Sequence, residues 1–261
     1  MLSQETIVAI ADELAEAERT GQKVPLLTRR HPDMTIEDAY AVQNEWRRRG
    51  IEAGRRLVGR KIGLTSKVMQ QATGITEPDY GAIFADMVYE NGALIEHAQF
   101  TGVRIEVELA FVLGSSLEGP DASIFDVLRA TEYIVPALEI LSSRIEMEGR
   151  TIVDTISDNA AMGAMIHGGN PTAPDAVDLR WISALLYRNE TIEDSGVAAA
   201  VLNHPAMGVV WLANKLAQHE DRLEKGDIIL AGSFTKPMWV YPNETVLADY
   251  GNMGVISCRF I

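Results

Sequence analysis

The sequence predicts an α+β protein in which a curved mixed β-sheet roll is flanked by short helices and carries a helical layer at its N-terminal end. Three observations predict it. Apolar residues recur at helical spacing early in the chain; from Leu57 onward the pattern breaks into short alternating or apolar segments bounded by Gly, Pro and Asp; and too few helices separate those segments for a regular βαβ series. The expected organisation is a helical region over 1–56 packed on a β-rich catalytic domain over 57–261.

The first helix is expected over 3–20, where Ile7, Ile10, Leu14 and Ala17 share a face and Ser3 can cap. A second is expected over about 36–53, with Thr35 and Asp38 in the cap-and-N3 arrangement and Gly50 and Gly54 near its end. The strand-like segments are RLVGRKIGL, GAIFADMVY, RIEVELAFVL, YIVPALEIL, DLRWISALLYRN, DIILAGSF and GVISCRFI. Between them lie two plausible short helices, 123–129 with a Ser123/Asp126 cap pair and 205–218 after Asn203 and His204.

Composition narrows the function. With 47% apolar and 23% charged residues the chain reads as an ordinary globular protein. A net charge of -14 without a basic cluster argues against a nucleic-acid partner. An acidic protein acting on a carboxylate needs a local positive charge from a metal or a placed Lys or Arg. Cys258 is the single cysteine, which excludes an intramolecular disulfide and a Cys-based zinc site and fits a reducing cytoplasm. The N-terminal stretch lacks a basic-then-apolar leader pattern, and no run of about 18 apolar residues occurs, so neither export nor a membrane is expected.

The chemistry concentrates in RIEVELAFVL. Alternation puts Ile105, Val107, Leu109 and Phe111 on one face and Glu106, Glu108 and Ala110 on the other. Two glutamates on one strand face are equally consistent with a solvated surface. Glu139 shifts the balance, because it sits inside the apolar YIVPALEIL, where a carboxylate survives by pairing, protonating or coordinating metal. Three carboxylates around one pocket suit Mg²⁺ or Mn²⁺; the alternative partner for Glu139 is a buried cation, with Arg104 and Arg144 nearest in sequence. Lys61 in VGRKIGL lies between Gly59 and Gly63, which leave room for a ligand, although an exposed strand lysine fits the pattern as well. Asp79 in EPDYG and Asp158 and Asn159 in DTISDNA read first as turn or cap residues. His31, His97, His167, His204 and His219 have no metal-ligand spacing, and GxSxG, Walker and dinucleotide-binding glycine motifs are absent.

The stretches GRKIGLTSK, EPDYGAIFADM, RIEVELAFVL, YIVPALEILSSR, DTISDNA, GVAAAVLNHP, WLANKLA, GDIILAGSFT and DYGNMGVISCRFI, together with TIEDAYAVQ, cover nearly the whole chain. In them the sequence resembles the hydratase/decarboxylase group of meta-cleavage pathways, whose fold is that of the fumarylacetoacetate hydrolase superfamily. The resemblance implies that Glu106, Glu108 and Glu139 bind Mg²⁺ or Mn²⁺, that Lys61 and Asp79 serve the chemistry, and that Asp158 and Ser233 contact a small 2-oxo or 2-hydroxy acid substrate. It implies hydration of a 2-hydroxy-2,4-dienoate or 2-oxo-3-enoate, nearest in wording to the branch acting on heptenedioates. Pentadienoate hydration, oxalocrotonate decarboxylation and an inactive oligomeric homologue are the alternatives. It also implies a homo-oligomer, to which the apolar face of 35–54 could contribute.

Overall fold

A computed structural model describes residues 1–66, 70 and 77–261; Lys67, the end of the GRKIGLTSK stretch, lies outside them. Helix α1 (Gln4–Thr20) begins where the Ser3 hydroxyl accepts the Thr6 N–H at 3.2 Å and stops at Gly21, whose φ of 69° suits a residue without a side chain. A short helix, α2 (Leu27–Arg30), follows, and α3 (Ile36–Glu52) opens on a reciprocal Thr35–Asp38 capping box. The apolar face of α3 is not free for an oligomer interface: Ala39, Tyr40, Val42 and Trp46 are buried in the core of their own chain. Gln43, on the same helix, donates to Tyr80 O at 2.8 Å and to Ile156 O at 2.9 Å, fastening the helical layer to the sheet.

Beyond α3 the described residues form strands β1 (Leu57–Gly63), β2 (Asp79–Phe84), β3 (Val88–Glu90), β4 (Ala93–Ile95), β5 (Arg104–Leu113), β6 (Thr131–Leu141), β7 (Met162–His167), β8 (Ser183–Arg188), β9 (Thr191–Val197), β10 (Ile228–Leu230), β11 (Met238–Trp239), β12 (Thr245–Asp249) and β13 (Val255–Phe260). Helices α4 (Ile124–Ala130), α5 (Ile152–Ser157) and α6 (Ala206–Ala217) lie between them. One mixed, curled sheet has the order β2-β1-β10-β5-β6-β7-β3, with β11 also pairing β5; the other runs β4-β13-β12-β8-β9. The β1/β10, β3/β7 and β4/β13 pairs are parallel and the rest antiparallel. Along one edge of β5, β10 pairs Ala110–Val112 and β11 pairs Arg104 and Ile105, so the segment between them passes beside the acidic stretch and carries Gly232 to Glu108.

Three expected strands are shorter than the sequence pattern suggested. GAIFADMVY is broken by a 3-10 turn at Ala85–Met87, and DLRWISALLYRN opens with another at Leu179–Trp181. The regular ladder of DIILAGSF spans only Ile228–Leu230; beyond it Gly232 breaks the extended run with a φ of 117°, while Ala231 and Phe234 still donate to Leu109 O and Val107 O of β5 at 3.0 and 3.2 Å. Strands β4, β7, β9, β11 and β12 and helices α2 and α5 lie outside the expected elements. For α5 a signal was present: Thr151 and Asp154 form the same cap box seen at Thr35/Asp38 and Ser123/Asp126.

Candidate active site

The central pair β5/β6 sets the acidic cluster. Register places Glu106 opposite Glu139, and Glu108 follows two residues along the same face of β5. One carboxylate oxygen from each of the three lies within 4.8 Å of the others. Behind them Ile105, Val107, Leu109 and Phe111 are buried, so the strand cannot rotate its acids into solvent without exposing that face. Glu108 is 1% exposed and Glu139 0%, which rules out the solvated strand face; Glu106 lines a cavity.

Few donors stabilise these anions. Gly232 N–H donates to Glu108 at 2.9 Å, an interaction that the turn after β10 delivers. Glu139 lies 3.2 Å from Lys61 Nζ as an ion pair, yet neither of its buried oxygens accepts a well-directed hydrogen bond. Burial first, then the charge of Glu139, pushes the Glu106 carboxyl up to about 8; burial with Glu139 and Glu106 pushes Glu108 well above the usual carboxylate range. Buried, mutually repelling oxygens without donors are the environment a hard divalent cation neutralises, so this donor set fits Mg²⁺ or Mn²⁺.

Lys61 comes from β1 and Asp79 from β2, adjacent strands whose register pairs Gly63 with Asp79. Lys61 is 3% exposed and Asp79 1%, so neither is the surface residue its local sequence allows. Burial draws the Lys61 ammonium down, but Glu139, Asp79, Glu106 and Glu108 together outweigh it and hold the proton more tightly than in an ordinary lysine. Burial raises Asp79, Lys61 pulls it back and Glu139 raises it again, leaving it above its usual value. One Asp79 oxygen, Oδ1, has no hydrogen-bond partner. The two glycines beside Lys61 serve different ends from a ligand's approach. A Cβ at Gly59 would stand 1.9 Å from Ile228 O, so that glycine permits the β1/β10 pairing; one at Gly63 would stand 2.2 Å from Asp79 Oδ1 and 3.1 Å from Lys61 Nζ, so its space belongs to those side chains.

Two cavities meet at Glu106. The larger, about 580 Å³, is lined by Lys61, Asp79, Arg104, Glu106, Arg150 and Thr151 among others; the second, about 290 Å³, by Glu106, Ser233, Thr235 and Lys236, and both touch Gly63 and Leu64. Ser233 therefore reaches the site, although its hydroxyl contacts Val107 O at 3.2 Å and Thr235 O at 2.9 Å. Asp158 does not line either cavity, a correction to its expected role as a substrate contact. It pairs with the Arg144 side chain and accepts N–H groups from Arg144 at 2.9 Å and Ile145 at 3.3 Å. Arg144, one of the two cations expected as an alternative partner for Glu139, is spent on Asp158 instead, and Lys61 is the cation that pairs with Glu139. Just beyond, Asn159, Ala160 and Ala161 all have positive φ (48°, 51° and 57°), and Ala160 and Ala161 line the larger cavity. The Asn159 amide holds that turn by exchanging hydrogen bonds of 2.7 and 2.9 Å with Ala82 of β2. Arg104, expected only as an alternative counter-charge for Glu139, and Arg150, which the sequence did not single out, both line the larger cavity; the alternation that puts Glu106 and Glu108 on one face also puts Arg104 there.

Comparison with known proteins agrees with this geometry. The model of the fumarylacetoacetate (FAA) hydrolase C-terminal family matches residues 63–261. The 2-oxo-hept-4-ene-1,7-dioate hydratase of Escherichia coli is 52% identical, the alignment covering 100% of both chains. The 2-keto-4-pentenoate hydratase of Paraburkholderia xenovorans (strain LB400) is 37% identical, covering 96% of this chain and 93% of the relative. The solved structure of 4-oxalocrotonate decarboxylase from Pseudomonas putida G7, complexed with magnesium and adipate, superposes with a TM-score of 0.98 at 32% identity over 100% of this chain and 99% of that one. With the curled sheet, the acidic cluster and full-length similarity in agreement, the chain belongs to the fumarylacetoacetate hydrolase family.

Proposed function

We propose that this protein is a divalent-metal-dependent hydratase that converts a 2-hydroxy-2,4-dienoate, by way of the 2-oxo-3-enoate, into a 4-hydroxy-2-oxo acid, with a heptenedioate as substrate. The observation that carries this reading is the trio Glu106, Glu108 and Glu139, whose oxygens converge within 4.8 Å beside Lys61 and Asp79 at a shared cavity. The similarity to the Escherichia coli heptenedioate hydratase, at 52% against 37% for the pentenoate enzyme, supports the dicarboxylate over the shorter monocarboxylate.

Glu106, Glu108 and Glu139 would hold Mg²⁺ or Mn²⁺, which supplies the positive charge that a 2-oxo acid head requires in this acidic protein. Lys61, kept protonated by the surrounding carboxylates, is the proton donor to C5 of the dienol as the enol O–H proton is lost. Asp79, with a buried oxygen free of hydrogen-bond partners, is the group that orients water toward C4; the water's hydroxyl bonds to C4 and C3 takes up a proton. Gly63 keeps the Lys61 and Asp79 side chains close, and the Asn159 turn walls the cavity beside them. Self-association belongs to the same reading, with exposed Leu94, Phe125 and Trp181 as available apolar contacts.

The test is an ultraviolet assay on pentadienoate, heptadienedioate and oxalocrotonate with metal-loaded and chelator-treated protein. Loss of dienol absorbance without CO₂ release supports hydration. CO₂ release from oxalocrotonate would assign a decarboxylase instead, and full activity after chelation would remove the metal from the mechanism.

A further inference from the structure

We infer that Arg104 and Arg150 form the subsite for the distal carboxylate of the substrate and so set the preference for a dicarboxylate over a monocarboxylate. This rests on the hydratase reading above for the position of the substrate's head. Arg104 stands on the same face of β5 as Glu106, two residues away, so its Cα lies roughly 6.8 Å farther along the strand. The six bonds from C1 to C7 of an extended heptenedioate span roughly 7 Å, taking three bonds per residue of extended chain. A head group held at the acidic trio can therefore reach Arg104 with its tail when the ligand runs toward that end of β5.

Pairing of charges singles out the same residues. Every other half-buried or buried arginine among the described residues, namely Arg47, Arg49, Arg55, Arg60, Arg144 and Arg188, has a carboxylate within 4.0 Å. Arg29, Arg56, Arg180 and Arg259 lack one but are exposed. Arg104 and Arg150 are sheltered, face the same cavity of about 580 Å³, and have no carboxylate that close. Arg104 Nε is buried without a hydrogen-bond partner, and its guanidinium lies 5.5 Å from the Trp239 ring centroid, which steadies its plane. Arg150 is braced by donating to Ser143 Oγ at 2.8 Å. Two guanidiniums set toward one space repel each other until an anion lies between them, and a carboxylate can accept from both. Lys236 lines the smaller cavity, but Asp194 also lines it and accepts the Lys236 backbone N–H at 2.9 Å, so a carboxylate there would meet an acid.

The test compares 2-oxoheptanedioate with 2-oxoheptanoate, which differ only in the distal carboxylate and lack the double bond that hydration requires. Their binding to the Mg²⁺-loaded protein is measured by titration calorimetry for the wild type, Arg104→Met, Arg150→Gln and Arg150→Lys. The wild type should prefer the dicarboxylate by at least tenfold. That ratio should fall toward one in Arg104→Met and Arg150→Gln and recover in part in Arg150→Lys. A wild type without preference, a ratio that survives both neutral substitutions, or equal loss of both ligands in the variants would overturn the assignment. A wild type that shows the preference but turns over no dienoate would leave the subsite standing and remove the hydratase reading.

Discussion

Glu106→Gln should make the metal-free protein more stable while abolishing its response to metal. At an effective dielectric of about 20, two like charges at 4.8 Å, the outer bound of the separations in the trio, repel by roughly 3.5 kcal/mol, and three such pairs by roughly 10 kcal/mol before Lys61 offsets a part. Burial first, and then this repulsion from Glu139, favours the protonated form in the metal-free site and raises the Glu106 carboxyl from 4.5 to about 8. Between those two values the folded chain keeps a proton that the unfolded chain has released, so stability falls as pH rises through the window. At pH 7, 2.5 units above the unfolded value, the cost is at most about 3.4 kcal/mol at 1.36 kcal/mol per unit. Gln carries no charge to suppress and removes that cost. For a chain of 261 residues, a gain of about 3 kcal/mol raises Tm by roughly 6 °C. The assay is thermal unfolding of wild type and Glu106→Gln from pH 5 to 8.5, with and without Mg²⁺. The metal-free wild type should lose Tm toward pH 8 and Mg²⁺ should restore it increasingly as pH rises; the variant should lose less Tm over the same range, since only the raised carboxyls of Glu108 and Asp79 remain, and should gain none from Mg²⁺. A metal-free wild type whose Tm does not change with pH, or a variant that Mg²⁺ still stabilises, would refute the reasoning.

Lys61→Ala should lower kcat by roughly 10²- to 10⁴-fold, as loss of a general acid does, while calorimetry still detects Mg²⁺ binding; near-normal turnover would remove Lys61 from the chemistry. Asp158→Ala should act on stability rather than on KM, since it strands the buried Arg144 guanidinium, at roughly 3–5 kcal/mol; a stable variant with raised KM would restore Asp158 as a substrate contact. Tyr250→Phe removes a hydroxyl that lies 2.7 Å from both Glu108 O and Ala137 O, bridging β5 and β6. It should cost about 1–3 kcal/mol in denaturant unfolding, and a neutral result would show that the bridge contributes nothing.

The two long N-terminal helices were legible because their signals are local. Ser3, Thr35 and Asp38 satisfy N–H groups within the first turn of the helix they start, and the apolar spacing follows from helix geometry alone. RIEVELAFVL was legible for a similar reason: alternation fixes which residues share a face whatever the partner strand. Short strands such as β4 and β11 carry no comparable signal, because pairing partners far along the chain decide whether two or three residues are extended. The family resemblance carried Lys61 and Asp79 into the site, whereas their local sequence allowed a surface strand and a turn.

By itself the sequence determined that Glu106 and Glu108 face one way from an apolar strand, that Glu139 lies in a segment fit for a core, and that no cysteine or histidine set competes for a metal. Tertiary structure decided the rest. Strand register set Glu106 against Glu139, the β1/β2 pair brought Lys61 beside Asp79, and the curl of the sheet carried Gly232 to Glu108. It also decided which cations were spent, giving Arg144 to Asp158 and leaving Arg104 and Arg150 open to the cavity. The physical reason is that alternation is a property of a single strand, whereas convergence of charges depends on pairing between segments distant in the chain, and the energy of a buried charge depends on what that pairing places next to it.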